Sequence, residues 1–336
     1  MKAIVYQKYG EVDVLKVAEV KRPIPKDHEV LVEIAATTVT PVDCAFRGGN
    51  PWISRLFTGV LAPKNQVLGT ELAGEVMELG KNVQDYRVGD LVYASPKDGF
   101  GAHAEYICLD TSGAMAQKPN NISVVEAASI PNGALTALSF LRDIAKVKPG
   151  QKVLINGASG SIGCAAVQLA KVLGAEVTGV CSAANLLLVK SLGADAVLDY
   201  AKEDFTLHAD KYDVIFDTVG KSSFSKAKNA LTSKGVFLVP VISIAILLTQ
   251  LWTTLWKGKR MYFAATGLRK PALQAQDLLY LNELIKKKQL TIVVDRIFPF
   301  EDVKEAYQYV SRGHKVGNVV LEVSLTPNLE ATVALV

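Results

Sequence analysis

Through the first third of the chain, apolar and β-branched residues alternate with polar ones at a period of two. "EVLVEIAATTV", "GTELAGEVMELG" and "VGDLVYA" each fit a strand bounded by turn residues, because side chains on a strand point alternately to opposite faces. The pattern predicts a small antiparallel β-domain carrying a Pro/Gly-rich loop from Arg47 to Pro63. From Ser123 the period lengthens. "SVVEAASIPNGALTALSFLRDIA" is helical in spacing, and Ser123 with Glu126 three residues on has the form of a capping box. Strands then alternate with helices: "KVLING", a helix from Ser161 to Leu173, "EVTGVC", a helix from Leu186 to Leu192, "AVLDY", "YDVIFDTVG" and "GVFLVP". Such alternation requires parallel strands joined by right-handed crossovers, a doubly wound α/β sheet. The tail reads as a helix ("QDLLYLNELIKKKQL"), a strand ("TIVVDRIFPF"), a helix ("EDVKEAYQYVSRG") and a final strand ("GNVVLEV").

One run departs from both periods. Val236 to Trp256 is almost uncharged and close to the length of a membrane span. It follows Gly235 as a buried strand does, and Pro240 interrupts it, so the expectation is a strand followed by an apolar helix that lines a pocket, a subunit contact or a membrane surface. Composition narrows the class. A chain of 336 residues with 49% hydrophobic content suits two ordered domains. The net charge of +4 is too mild for a nucleic-acid partner, and the basic run Lys286 to Lys288 fits a solvated helix end. The four cysteines and four histidines are scattered without CxxC or HxxxH spacing, which favours neither a disulfide framework nor a thiolate zinc site. "MKAIVYQKYG" has no signal-peptide h-region, so a reducing, cytoplasmic setting is expected.

The chemistry concentrates in "VLINGASGSIG". A buried strand runs into Gly157, Ala158, Ser159, Gly160, Ser161, Ile162 and Gly163, and a helix follows. A second strand ends about 20 residues later, which is the layout of a dinucleotide-binding βαβ unit. The pyrophosphate in such a unit sits on the amides of the helix N-terminus. An NAD-preferring site places Asp or Glu at the end of the second strand to accept the ribose 2′-hydroxyl. Here that turn reads Ser182, Ala183, Ala184, Asn185, with neither the acid nor an arginine. Ser182 and Asn185 can donate hydrogen bonds, Lys190 lies on the next helix and Tyr200 ends the next strand. The expectation is NADPH, with NADH weaker and the phosphate clamp modest.

With these motifs in hand, the chain resembles the medium-chain dehydrogenase/reductase superfamily, in its zinc-independent quinone oxidoreductase-like branch. The resemblance is carried along the whole chain by "EVLVEIAATTVTPVDCAFRGG", "LGTELAGEVMELGKNVQDYRVGDLVYA", "GAHAEYI", "PNGALTAL", "GASGSIGCAAVQLAKVLGAEVTGV" and "VVDRIFPFEDVKEAYQYVSRGHKVGNVVLEV". It implies a GroES-like β-rich catalytic domain over 1–124 and 266–336 and a Rossmann cofactor domain over 125–265. It also implies positions for a catalytic zinc in the zinc-dependent relatives. Those positions hold Thr40, Thr70 and Asn132 here, which offer no imidazole or thiolate, so no metal is expected.

The resemblance places Thr40 on the substrate side, facing the nicotinamide, with Asp43 orienting its neighbours; these are the candidate catalytic residues. Ala45 stands where some relatives carry a tyrosine. Asn132 and Thr136 are expected near the nicotinamide carboxamide. Val219 ends a strand at the ligand-binding edge, and Asn318 occupies a place where relatives often have a cofactor-side lysine. Trp52, Phe57 and Phe100 are candidates for lining an apolar substrate site, His103 reads as structural, and Cys44 and Cys181 as plain thiols. The implied activity is NADPH-dependent, zinc-free hydride transfer to quinones or α,β-unsaturated carbonyls, the substrate being a small hydrophobic carbonyl or quinone. A zinc alcohol dehydrogenase and a non-catalytic nucleotide-binding protein on the same scaffold are the alternatives. Relatives commonly pair, so a homodimer is expected; peripheral membrane contact through 241–256 is the lesser expectation.

Overall fold

The computed structural model describes residues 1–324 apart from Asp98, Trp256, Lys257, Thr266 and Leu268, and apart from the side chain of Phe57. The chain forms two compact units. One comprises Met1–Asn132, Lys270–Lys286 and the described part of Ile292–Val336; the other comprises Gly133–Arg269 and Lys287–Thr291.

The first unit begins with the antiparallel pair β1 (Lys2–Val5) and β2 (Lys16–Glu19). The long strand β3 (Glu29–Thr38) follows, and then α1 (Pro41–Gly48). Local chemistry sets both ends of α1. Thr40 and Asp43 form a capping box, Pro41 takes a first-turn position where its missing N–H costs nothing, and Gly49 closes the helix in the left-handed region at φ 60°. A short α2 (Arg55–Thr58) precedes β4 (Leu72–Leu79), β5 (Leu91–Ser95), β6 (Tyr106–Asp110) and β7 (Ala114–Gln117). The helical run expected from Ser123 is interrupted. Its capping box is present at the start of α3 (Val124–Ala128), but Pro131 opens a separate helix, α4 (Pro131–Leu138), which passes into a wider π-turn over Ser139–Ile144. Proline supplies no N–H to a preceding turn and holds the residue before it away from helical geometry. α3 packs on β3 and β4, and the division between units falls at Asn132.

The second unit holds β8 (Lys152–Asn156), α5 (Ser161–Val172), β9 (Glu176–Cys181), α6 (Leu186–Ser191), β10 (Ala196–Asp199), β11 (Tyr212–Asp217), α7 (Phe224–Ala227), β12 (Leu231–Val239), α8 (Ile244–Leu255) and β13 (Arg260–Phe263). Its six strands are all parallel, in the order β10-β9-β8-β11-β12-β13. Numbered within this sheet the order is 3-2-1-4-5-6, that of a Rossmann fold, and the direction of winding reverses between β8 and β11. Its core is built from Leu154, Ile215, Leu231 and Phe237. The apolar run expected as strand plus helix is β12 followed by α8. Among the described residues no helix is long and apolar enough to cross a membrane.

The chain then returns to the first unit as α9 (Pro271–Lys286), β14 (Val294–Pro299), α10 (Val303–Ser311) and β15 (Asn318–Glu322). β15 pairs antiparallel with β3 and completes a seven-stranded sheet of order β14-β15-β3-β4-β5-β7, with β6 also on β3. Ile4, Tyr6, Leu68, Phe300, Tyr307 and Leu321 pack into one buried cluster there, so the two chain ends share a core.

Candidate active site

In the second unit the glycine turn lies where the winding reverses. Gly157 leaves β8 with φ 79°, and a Cβ on it would come within 2.1 Å of Val219 Cγ2. A Cβ on Gly163 would come within 2.1 Å of the Gly157 carbonyl oxygen, so α5 can approach the strand only with glycine there. The amides of Gly157 and Ala158 both donate to the Val180 carbonyl, at 3.0 and 2.9 Å, and the Gly160 amide donates to Gly157 at 3.1 Å. These three are spent on shaping the turn. Ser161, Ile162 and Gly163 form the first turn of α5, where amides have no intrahelical acceptor, and the extended N-cap Gly160 supplies no side-chain cap. The amides of this turn, with the positive end of the helix dipole behind them, fit a phosphate.

Around this turn the structure gathers most of the expected cofactor residues. Asn185 Nδ2 donates to Ser159 Oγ at 3.1 Å, which ties the end of the second strand to the glycine turn. Ser182 is the N-cap of the short turn Ala183–Asn185. The Tyr200 amide donates to the Cys181 carbonyl at 3.2 Å, placing the exposed Tyr200 ring beside Ser182. Val219 rests against Gly157, and its loop is organised by a residue the sequence reading passed over. Asp217 Oδ1 accepts from the amides of Val219 and Gly220 and from Asn156 Nδ2, while Oδ2 accepts from Ser222. Asp199 is a second such residue: its register opposite Cys181 puts a carboxylate one strand away from Ser182. Lys190 is the correction. Its ammonium donates to the Asp195 carbonyl at 2.6 Å, ahead of the first residue of β10 and therefore at the amino edge of the sheet, away from Ser182. Lys190→Ala is therefore expected to leave NADPH affinity within about twofold in a fluorescence titration, since a distant exposed charge is screened.

In the first unit the three positions at which zinc-dependent relatives carry ligands lie among two sets of hydrogen-bonded groups, one around Asp43 and one around Glu71. Thr40 Oγ1 donates to Asp43 Oδ2 at 2.6 Å and accepts from the Asp43 amide at 3.1 Å. Asp43 also accepts from the amides of Thr40 and Gly69, at 2.9 and 3.2 Å. Thr70 comes next in the chain, and its hydroxyl is buried with no protein partner. Glu71 follows, fully buried: Oε1 accepts from the Thr38 hydroxyl, and Oε2 accepts from the Asn132 amide at 2.6 Å. Burial pushes the Glu71 carboxyl up to about 7, against the hydrogen bonds from Thr38 and Asn132 and the charge of Lys315. Burial likewise raises Asp43, and it lowers His103. His103 Nε2 donates to the Thr38 carbonyl at 3.0 Å, and Nδ1 accepts from Tyr307 at 3.3 Å, a structural role.

Thr40 and Asp43 are thus brought together, but as a helix cap whose hydroxyl proton is held by the carboxylate. Thr70 enters the sequence reading only as the residue at a ligand position and Glu71 not at all; the significance of both lies in burial, which no motif encodes. Lys315 was missed as well. It sits in the same "GHKVGN" stretch as Asn318, and its charge reaches Glu71 and Cys44. Asn318 itself is buried with Nδ2 donating to the Val293 carbonyl at 3.0 Å. The side-chain amide of Asn132 is half-buried, and Thr136 is buried one helical turn further on. Trp52 is 60% exposed, whereas Phe100 packs on Phe46 at 5.1 Å and belongs to the core. The Phe57 side chain lies outside the described residues. Burial raises Cys44 and Cys181 to about 11, which leaves both as inert thiols.

A zinc ion needs soft or imidazole donors. Thr40, Thr70 and Asn132 provide hydroxyl and amide oxygens, and one of those hydroxyls already belongs to Asp43, so the residues present do not fit the metal. A Rossmann unit with an uncapped phosphate turn and a β-rich unit with hydroxyl and amide groups in place of metal ligands define, in one chain, a dinucleotide-dependent oxidoreductase scaffold. Comparison with known proteins agrees. Residues 26–120 match the family described as alcohol dehydrogenase GroES-like domain, and residues 192–321 the one described as zinc-binding dehydrogenase. The chain is 33% identical to the quinone-oxidoreductase homolog, chloroplastic, of Spinacia oleracea, covering 96% of this chain and 98% of that protein. It is 34% identical to the NADPH-dependent alkenal/one oxidoreductase, chloroplastic, of Arabidopsis thaliana, over 96% and 79%. The solved structure of the quinone oxidoreductase from Coxiella burnetii superposes with a TM-score of 0.85 at 29% identity, covering 96% of this chain and 99% of that one. The chain belongs to the medium-chain dehydrogenase/reductase superfamily, in its quinone oxidoreductase-like branch.

Proposed function

We propose that this protein is an NADPH-dependent reductase that passes hydride to quinones or α,β-unsaturated carbonyls without a metal. The observation that carries the reading is the substitution of hydroxyls for metal donors, with the Thr70 hydroxyl buried and unpartnered. Lacking a Lewis acid, such a site suits substrates that accept hydride readily. When bound, NADPH supplies that hydride from C4 of its nicotinamide. The amides of Ser161, Ile162 and Gly163 hold the pyrophosphate, and the Asp217-braced loop at Val219 shapes the same edge. Ser182, Asn185 and Tyr200 border the 2′-phosphate. The Thr70 hydroxyl donates to the substrate carbonyl oxygen, where negative charge grows during transfer. Thr40 and Asp43 hold α1 in place and position Gly69, the residue before Thr70. Asn132 and Thr136 face the carboxamide. The proton that completes the reaction comes from water.

Exposed apolar residues beside Trp52, namely Leu56, Val60 and Leu61, favour a hydrophobic substrate. A homodimer in a reducing, cytoplasmic setting completes the reading, in keeping with four cysteines that form no disulfide. The test is titration with both nicotinamide dinucleotides followed by turnover with a simple quinone. NADPH is expected to bind up to about tenfold more tightly than NADH, the worth of one or two neutral hydrogen bonds and no more. Turnover is expected to survive a strong chelator. Failure of both dinucleotides to bind, or loss of activity on chelation, overturns the reading.

A further inference from the structure

The helix α8 has its polarity reversed. A surface helix of a soluble protein normally turns its apolar stripe to the core. Here the inward positions include Gln250 and Thr253: Gln250 Oε1 accepts from the Phe263 amide at 2.7 Å, and the buried Thr253 Oγ1 accepts from the Met261 amide at 3.2 Å. These are the outward amides of β13, the edge strand of the sheet, so the polar face of α8 blocks an edge that would otherwise add another strand. Only Ile246 of the helix reaches the core cluster. The opposite face carries Ile244, Leu247, Leu248, Leu251, Trp252 and Leu255, all exposed, with Ile244 at 72% and Leu255 at 76%. A contiguous apolar patch of this kind marks an interface.

Charge identifies what covers it. From Thr218 to Arg269 the chain has no aspartate or glutamate and eight lysines and arginines. Several gather at the C-terminal end of α8. Lys259 Nζ donates to the Lys228 carbonyl at 2.8 Å, and pairing of Val236 with Arg260 brings Lys234 to the same end of the sheet. Lys228, Lys234 and Arg260 are exposed; Asp210, paired with Lys259 at 3.3 Å, is the acid among them. At the other end Gly220 abuts Val241, so Lys221 follows directly beside the helix start. An isologous contact between two copies across the middle of α8 would set these basic ends against each other, with no acid in the segment to pair them. An anionic lipid surface satisfies both features. Twelve residues span about 18 Å, too short to cross the roughly 30 Å hydrocarbon core, so the helix would lie in the headgroup layer with Trp252 at the boundary.

We propose that α8 and the basic end beside it dock this protein on an anionic membrane surface. The docking is independent of the reductase reading, since it can be measured without turnover. Full-length protein is sedimented with vesicles of phosphatidylcholine alone and of phosphatidylcholine with about a third phosphatidylglycerol. Binding is expected to the anionic vesicles, at least about tenfold weaker to the neutral ones, and weaker still in high salt. Leu248→Glu with Leu251→Glu is expected to weaken it by about a hundredfold or more, and Lys259→Glu with Arg260→Glu by about tenfold. The second pair leaves the apolar face intact, so it reports independently should the first pair fail to fold; melting and NADPH titration check both. No binding to anionic vesicles, or binding indifferent to both pairs of substitutions, overturns the proposal. So does a dimer that Leu248→Glu and Leu251→Glu convert to monomer without any vesicle binding, which would make a second copy the occupant.

Discussion

Thr70→Val is expected to lower kcat/KM for a quinone by about a hundredfold while stabilising the fold by about 1 kcal/mol. The asymmetry follows from where the hydroxyl sits. Thr70 Oγ1 is buried and has no partner among the described residues, so the folded state carries its desolvation with no hydrogen bond in return, and valine relieves that cost. Valine keeps the branched shape. What is lost is a donor aimed at an oxygen that becomes negative only as hydride arrives. Loss of one such donor typically costs on the order of a hundred- to a thousandfold in rate. Thr40→Val is the contrast. Its hydroxyl is committed to Asp43 and caps α1, so about 1 kcal/mol of stability should go with it, and the kinetic effect should be indirect. Steady-state kinetics and urea unfolding of both variants separate the roles. Should Thr40→Val take the catalytic loss and Thr70→Val show none, the substrate donor is Thr40.

Stability is expected to fall between about pH 4.5 and pH 7 by roughly 3 kcal/mol through Glu71 alone, at about 1.36 kcal/mol for each tenfold change in proton activity across that window. The sign comes from proton counts. Burial raises this carboxyl to about 7 from its ordinary value of 4.5, so over that window the folded protein holds a proton that the unfolded chain has released. Raising the pH must then favour the unfolded chain, with the loss complete above pH 7. Glu71→Gln removes the titration. Its carbonyl can accept from the Asn132 amide, and its NH2 can donate to the Thr38 hydroxyl, so both contacts survive with one donor reversed. Urea midpoints at pH 5 and pH 8 should therefore converge in Glu71→Gln relative to the parent. An undiminished pH dependence in the variant would assign the slope to another group, Asp43 and Asp217 being the other carboxylates that burial raises.

Much of this protein is legible from local pattern. Period two and period 3.6 locate most strands and helices, and the spacing of Gly157, Gly160 and Gly163 between a buried strand and a helix marks the phosphate turn, because only glycine permits Gly157's positive φ and the close approach of Gly163 to its carbonyl. The capping boxes at Thr40 and Ser123 are local as well, since each spans four consecutive residues. The helical run through Ile130 was misread for a local reason too: Pro131 outweighs the apolar spacing around it.

The rest depends on groups far apart in sequence. That Glu71 lies beneath Thr38 and the Asn132 amide is a matter of β3, β4 and α4 converging, and burial alone turns an ordinary glutamate into one that titrates near neutrality. That Lys190 serves Asp195 rather than a phosphate follows from which end of β10 it meets. Composition could announce an apolar segment at 241–256, yet only the sheet order made β13 an edge, and only the capping of its amides by Gln250 and Thr253 turned the apolar face of α8 outward. The sequence by itself determined the family, the cofactor turn and the missing zinc donors, because each rests on residue types at short spacing. Tertiary structure decided which hydroxyl is left unpartnered among the described residues, which carboxyls burial raises and which face is exposed, because these are properties of the surroundings rather than of the residue.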